Sequence, residues 1–166
     1  AVGLPVRCGG QIFDAVAVLH KGLILGIIPK AFMNGERQFA SAFDSDLEYI
    51  DFCGQEVPFG TDLIFRAADM AELAVAVEVG SDALAPLSPA AYLTVNGGNL
   101  VLNPAAFAAA ATSYEYRKQL AMSRSSACAA GYVSASAGMM ESTQDMVFDG
   151  GALVAENGAI LAEGER

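Results

Sequence analysis

The stretch Glu72–Pro86, with the sequence ELAVAVEVGSDALAP, carries the signals from which the rest of the chain is interpreted. Its first half, Leu73–Val79, is an almost unbroken apolar run rich in Val and Ala. A run this short and this β-branched predicts a strand that is buried on both faces. Glu78 interrupts the run near its end, so we expect its carboxylate to have a partner or to reach the strand's exit.

Three turn-forming residues, Gly80–Asp82, end this predicted strand abruptly. In α/β proteins, a buried strand that stops in a tight turn is a common place for a reactive side chain, because the strand fixes the position and the turn exposes it. The turn offers only a glycine, the hydroxyl of Ser81 and the carboxylate of Asp82. A plain strand-to-loop turn is the alternative interpretation, since these residue types are frequent in turns.

The composition predicts one globular domain, residues 1–166, with a large apolar core. The chain has 166 residues, of which 54% are apolar and 17% charged, and its net charge is −10. A chain of this length buries roughly 70% of its unfolded surface, and this composition excludes disorder. The acidic balance disfavours a nucleic-acid partner and an anionic membrane surface, because both need a basic face.

The cysteines, Cys8, Cys53 and Cys128, favour a reducing, cytoplasmic location. Their odd number and their spacing fit neither a disulfide framework nor a metal site. No apolar run approaches the length of a membrane span, and no signal peptide is recognised. Because the chain does not begin with Met and both ends lie in strand-like sequence, we expect a domain truncated at both ends.

Two hairpins are predicted from tight-turn signals. Gln11–Lys30 contains two apolar segments joined at Lys21-Gly22, and Asn157-Gly158 separates two further segments near the C terminus. Lys30 directly follows the second strand of the first hairpin. A solvated strand end is one interpretation of this lysine, and a cation that steadies negative charge beside a reacting centre is the other.

Two helices are predicted after the central strand. The first has Ser88 as its N-cap and Pro89 at its first position, and the strand Asn99–Asn103 follows it. A strand, a helix and a strand with short links predict a parallel βαβ unit. The second helix is Ser113–Ala130, with Ser113 as its cap and Arg117 off the inward stripe. That stripe is predicted to contain Tyr116, Leu120, Ser123, Ala127 and Ala130.

Several segments resemble, in order, the nitrilase-type glutaminase domain of glutamine-dependent NAD synthetases. The C-terminal stretch Glu141–Arg166, ESTQDMVFDGGALVAENGAILAEGER, and the motif FGTDLIF at Phe59–Phe65 are the most specific matches. LGIIPK at Leu25–Lys30 is similar to a family strand that ends in Pro-Lys. Val77–Val79 is similar to the strand before the family's nucleophile, and Tyr116–Gly138 to the helix and strand that follow it.

The resemblance implies an α+β fold of the four-layer αββα sandwich type, present here as a partial domain with one mixed sheet-rich core and two main helices. It implies an amidase with a Cys-Glu-Lys set, in which a thiolate attacks the glutamine side-chain amide. The ammonia passes to a separate ligase domain of the same parent chain, which amidates deamido-NAD and is where ATP and Mg are expected. This domain itself is expected to hold no cofactor or metal, and homo-oligomers are implied.

The departures from the family pattern fall on the reactive positions. Lys30 retains the family's catalytic lysine, whereas Gly80 stands where the cysteine nucleophile belongs and Ser81 where an acidic residue follows it. The family positions that hold glutamine, a serine and an arginine, fall near Phe107 and Ser113, and the resemblance implies that Ser81, Phe107 and Ser113 are degenerate substrate-binding positions. The family's catalytic glutamate would precede the first residue of this chain.

These departures predict that the amidase activity is lost. Removing the nucleophile of a comparable covalent enzyme costs on the order of a millionfold in rate. Ser81 lies one residue after the nucleophile position, so at the end of a strand we expect its side chain to face away from the reacting centre. No histidine is available to activate its hydroxyl. Cys53 and Cys128 lie on other elements. A silent pseudo-glutaminase with a structural or oligomerisation role, and another carbon–nitrogen hydrolase with a different amide substrate, remain as alternatives.

Overall fold

The computed structural model describes residues 1–35 and 37–164, and it places two helices and eleven strands there. The last two residues of the C-terminal motif thus lie outside the described part of the chain. The helices are α1 (Pro89–Val95) and α2 (Ser113–Ala127). The strands are β1 (Val2–Cys8), β2 (Gln11–His20), β3 (Leu23–Pro29), β4 (Tyr49–Phe52), β5 (Gln55–Pro58), β6 (Ile64–Arg66), β7 (Ala74–Val77), β8 (Leu100–Ala105), β9 (Gly131–Ser136), β10 (Ala152–Glu156) and β11 (Ala159–Glu163).

The strands form three sheets. One has the order β1-β2-β3, the second has the order β11-β10-β9-β8-β7-β6, and β4 pairs with β5 alone. In the six-stranded sheet β7, β8 and β9 are parallel and the outer pairs are antiparallel, so the sheet is mixed. The predicted parallel βαβ unit and both predicted hairpins are confirmed. The turn at Lys21-Gly22 has positive φ at both residues, which matches the right-handed twist of the flanking strands.

The core consists of three apolar clusters stacked through the layers. One lies between the six-stranded sheet and the helices and includes Leu93, Val101 and Tyr132. A second lies where the two larger sheets face each other and includes Val16 and Val77. The third joins the β1-β2-β3 sheet to the β4-β5 hairpin. The helix, sheet and sheet layers of the expected sandwich are therefore present, and the β4-β5 hairpin covers the outer face of the smaller sheet.

The inward face of α2 differs from the predicted stripe. The buried residues are Tyr114, Arg117, Ala121 and Ser125, whereas Tyr116 is exposed. Arg117 can be buried because its guanidinium donates a 2.7 Å hydrogen bond to Asp149 and lies over the Tyr114 ring. The cap prediction was also wrong, since Thr112 precedes the helix and Ser113 is its first residue. Neither helix in the described residues is long and apolar enough to cross a membrane.

Candidate active site at the end of β7

The strand β7 runs into a short 3-10 helix, Gly80–Leu84, through a sharp turn at Gly80. Gly80 has φ +52°, in the left-handed region that L-residues adopt only with strain. A strained strand-to-helix turn is the geometry by which nucleophile elbows expose a reactive side chain. The backbone at this turn therefore has the shape of a nucleophile elbow and not of an irregular loop, although the residue at the elbow has no side chain.

Lys30 lies directly behind this elbow. A Cβ atom built on Gly80 would be 3.8 Å from the Lys30 Nζ atom. The lysine is only 3% exposed, so the interpretation of a solvated strand end is wrong. The end of β3 and the end of β7 thus bring together the two positions that the sequence analysis had assigned to the lysine and the lost thiol.

Ser81 points toward the same lysine. Lys30 Nζ donates a 2.5 Å hydrogen bond to Ser81 Oγ, and Asn34 Nδ2 donates a second one of 2.9 Å. The prediction that Ser81 points elsewhere is wrong, because it assumed the alternation of an extended strand, whereas Ser81 already lies in the 3-10 helix. The hydroxyl lacks a histidine but has a buried amine in contact.

Asp82 fastens the end of β3 to the turn. Its carboxylate accepts hydrogen bonds from the N–H groups of Ala31, at 2.7 Å, and Phe32, at 2.9 Å. Its Oδ1 atom is also 3.9 Å from Lys30 Nζ. Burial raises the pKa of Asp82 above its usual value, against the opposing effect of these hydrogen bonds and of the lysine charge. The carboxylate therefore holds the lysine and the turn in one arrangement.

The buried carboxylate of Glu78 has the partners that the sequence analysis required. It accepts a 2.6 Å hydrogen bond from the Tyr132 hydroxyl and a 3.2 Å hydrogen bond from the N–H of Ala90 in the first turn of α1. The predicted N-cap, Ser88, makes no side-chain capping bond, so Glu78 satisfies the helix end in its place. Desolvation and the adjacent Glu78 charge raise the pKa of Tyr132 well above its usual value.

Two side chains that the sequence analysis missed hold the carbonyl groups of the turn. Asn103 Nδ2 donates to the carbonyl oxygens of Glu78, at 3.2 Å, and Gly80, at 2.9 Å. Arg124 on α2 donates to the carbonyl oxygens of Ala83 and Ala85. An asparagine within the otherwise apolar strand β8 was the available signal, because a buried amide needs polar partners.

Two cavities open on either side of the turn. The first, called here the elbow cavity, has a volume of about 610 Å³ and is lined by Gly80, the end of β8 and Ser136, among others. The Ser136 hydroxyl is buried and has no hydrogen-bond partner among the described residues. The second, called the apolar cavity, has a volume of about 1110 Å³. Its polar lining includes Asn34 and Ser81, and its apolar wall includes Phe32, Phe43, Leu84, Leu87 and Tyr92.

The other two predicted site residues, Phe107 and Ser113, line neither of the two cavities. The Ser113 hydroxyl exchanges hydrogen bonds with the backbone of Ala110 at the start of α2. Their assignment as substrate-binding positions stays a prediction. Within residues 1–35 and 37–164, no group of three His, Cys, Asp or Glu side chains is arranged to hold a metal ion.

Comparison with characterised proteins relates the chain to one kind of enzyme. No family model matches the sequence. The glutamine-dependent NAD(+) synthetase of Mycobacterium bovis is 36% identical over 170 residues, which cover 99% of this chain and 25% of that protein. The protein of the same name from Mycobacterium leprae is 35% identical over the same coverage. The chain therefore spans about a quarter of the length of these relatives.

Solved structures agree on the fold. A glutamine-dependent NAD(+) synthetase from Cytophaga hutchinsonii superposes with a TM-score of 0.76 and 24% identity, covering 99% of this chain and 27% of the other. An amidase of the nitrilase superfamily from Nesterenkonia superposes with a TM-score of 0.69 and 20% identity, covering 98% of this chain and 55% of the other. The chain is therefore similar in sequence to about a quarter of glutamine-dependent NAD(+) synthetases, and it shares its fold with a solved NAD(+) synthetase and with a solved amidase of the nitrilase superfamily.

Proposed function

We propose that this chain is the glutaminase domain of an NAD synthetase, and that it no longer hydrolyses glutamine. In the ancestral reaction, a cysteine thiolate attacks the side-chain amide of glutamine and releases ammonia for the amidation of deamido-NAD. The sequence relationship to glutamine-dependent NAD(+) synthetases supports the assignment of the domain. Gly80 at the elbow supports the loss of the reaction, because it offers no nucleophilic atom.

The observation that carries the proposal is the position of the Lys30 ammonium behind an elbow without a thiol. A cation 3.8 Å from the Cβ position would stabilise a thiolate and the charge that develops during acyl transfer. Asp82, Asn103 and Glu78 still hold the turn that would present the sulfur. The scaffold for the reaction is thus retained while the reacting atom is absent.

The rest of the proposed reaction belongs to the parent protein. A linked ligase domain, with ATP and Mg, would convert deamido-NAD to NAD with free ammonia as the nitrogen source. In that arrangement the present domain is a pseudo-glutaminase, and its contribution is to pack the parent chain and its homo-oligomer. Retention of the nitrilase-type fold without the nucleophile favours this structural role over a different amide substrate at the same elbow.

The full-length protein provides the test. NAD formation from deamido-NAD should proceed with ammonium ions and should be lower by several orders of magnitude with glutamine. A rate with glutamine comparable to the rate with ammonium would refute the loss of amidase activity. A thiol reagent that labels one cysteine, and is displaced competitively by glutamine, would refute it as well.

A further inference from the structure

We propose that Ser81 and Lys30 form a nucleophile and general-base pair that cleaves a carboxylic ester bound in the apolar cavity. This activity is separate from the glutamine reaction, since it uses a different atom and a different cavity. It does not depend on whether the parent protein makes NAD. The two residues come together only in the folded chain, because they are on elements 51 positions apart in sequence.

The contact geometry fits an activated serine. A nucleophile and its base must lie within hydrogen-bond reach, and the base must be oriented by a third group. Lys30 Nζ is 2.5 Å from Ser81 Oγ, and Asp82 Oδ1 is 3.9 Å from the same nitrogen. Lysine replaces histidine as the base in known serine hydrolases, so the absence of a nearby histidine does not exclude this chemistry.

Ser81 also lies where a substrate could reach it. It lines the apolar cavity, whereas Lys30 is buried behind it and is shielded from bulk water. Asn34 Nδ2 donates a 2.9 Å hydrogen bond to Ser81 Oγ, so it helps to fix the orientation of the hydroxyl at the cavity wall. A nucleophile, a base and a hydrogen-bond donor therefore meet at the polar end of one cavity.

The walls of the cavity indicate the substrate class. Phe32 and Phe43 pack edge to face with their ring centroids 5.5 Å apart, and Leu84, Leu87 and Tyr92 line the same space. Such a wall favours an acyl group with a branched or aromatic apolar body. The net charge of −10 disfavours an anionic substrate. A neutral ester with an apolar acyl group satisfies both conditions.

The reaction would proceed in two balanced steps. The reaction uses the unprotonated form of Lys30, whereas the ammonium described at the elbow is its protonated form. The unprotonated amine takes the proton of the Ser81 hydroxyl while Oγ bonds to the carbonyl carbon, and the resulting ammonium gives that proton to the departing alkoxide. This leaves an acyl-serine and a free alcohol. Water then attacks the acyl carbon with Lys30 as the base, and the proton returns to Oγ as the carboxylic acid leaves.

The test uses the full-length protein, a fluorophosphonate probe and a panel of p-nitrophenyl esters. Oγ would displace fluoride from phosphorus, so peptide mapping should find the adduct on Ser81. Ser81→Ala should abolish labelling and ester cleavage. Lys30→Arg, which keeps the charge but is not a base, should lower both by about a hundredfold or more. Ser123→Ala, which removes an exposed hydroxyl on α2 that lines neither cavity, should change neither by more than about twofold.

The inference is overturned if Ser81 is not labelled in preference to other serines at any pH at which the protein stays folded. It is also overturned if Ser81→Ala, with an unchanged melting temperature, cleaves the esters as fast as the unmodified protein. Neither result depends on glutamine. Failure of this inference and failure of the proposed loss of amidase activity are therefore distinguishable.

Discussion

The Nζ atom of Lys30 lies 3.8 Å from the point where a Cβ atom of residue 80 would be, and both groups meet at the exit of β7. Apart from the residues next to Gly80 in the sequence and the backbone of its own 3-10 helix, no other atom of the described residues lies within 4 Å of that point. A side chain at this position would therefore have space and a cationic neighbour. The cost lies in the backbone, because φ +52° is unfavourable for every residue except glycine.

Gly80→Cys should restore a reactive thiol without restoring glutamine hydrolysis. The left-handed backbone should cost about 1–2 kcal/mol of stability, and the adjacent ammonium should make the thiol more reactive than an ordinary one. We expect hydrolysis to stay absent because Phe107 and Ser113 are predicted, from the sequence resemblance alone, to fall near the positions that hold glutamine in glutamine-dependent NAD synthetases. Iodoacetamide labelling at several pH values and a glutaminase assay measure the two effects.

Gly80→Ala is the matched control for this substitution, because it carries the same backbone strain without sulfur. The two variants should have similar melting temperatures and should both be inactive toward glutamine. Hydrolysis by Gly80→Cys well above the Gly80→Ala background would contradict the prediction. It would also show that the thiol was the only missing part of the pocket.

Much of this arrangement could be predicted from local sequence. The turn pairs Lys21-Gly22 and Asn157-Gly158 fixed two hairpins, because positive φ at consecutive residues leaves few alternatives. The apolar run before Gly80 and the helix start at Pro89 predicted the parallel βαβ unit correctly. The need of Glu78 for a partner followed from burial alone.

What the sequence could not supply were the partners that come from distant segments. Arg117 was placed on the solvent side of α2, because its pairing with Asp149 depends on how the helix meets a loop 32 residues later. The orientation of Ser81 was wrong for a similar reason, since the start of a 3-10 helix rotates the side chain away from strand alternation. The asparagine in the apolar strand β8 indicated that Asn103 needs polar partners, but those partners are backbone carbonyls, which carry no residue-specific signal and could not be identified from the sequence.

Tyr132→Phe should destabilise the fold by about 1–3 kcal/mol, because it leaves the buried Glu78 carboxylate without one of its donors. Tyr132 and Glu78 are both fully buried, so water cannot replace the lost hydroxyl without rearrangement. Urea denaturation measures the effect. Tyr116→Phe, at an exposed position of α2, is the control and should stay within about 0.5 kcal/mol of the unmodified protein. Equal effects of the two substitutions would show that the buried hydrogen bond adds little.

The same tyrosine should make stability fall in alkaline solution. Burial and the Glu78 charge hold the pKa of Tyr132 well above its usual 10.0, so above that pH the folded state keeps a proton that the unfolded state has lost. Stability must then decrease as pH rises, by about 1.4 kcal/mol per pH unit until the folded-state pKa is reached. The stability advantage over Tyr132→Phe should therefore shrink above pH 10.0. An advantage that is constant or grows with pH would mean that Tyr132 is not protected in the folded state.

The close approach of the two larger sheets can be tested at Gly26 in β3. A Cβ atom there would be 2.9 Å from Leu63 Cδ1 and 3.0 Å from ring atoms of Phe65. These side chains belong to the apolar cluster between the sheets, so Gly26→Ala should cost about 1–3 kcal/mol through overpacking. Thermal unfolding measures this cost.

Gly3→Ala in β1 is the matched control for Gly26→Ala, since no atom of the described residues lies within 4 Å of its Cβ position. Both glycines are strand residues outside the positive-φ region, so the backbone tolerates alanine at either position. Alanine also lowers the conformational entropy of the unfolded chain relative to glycine, so Gly3→Ala should be neutral or should stabilise the fold by up to about 1 kcal/mol. Because this gain applies equally at both positions, the difference between the variants isolates the steric cost between the sheets. Melting temperatures that rise together in both variants would mean that the sheets are farther apart at Gly26 than described.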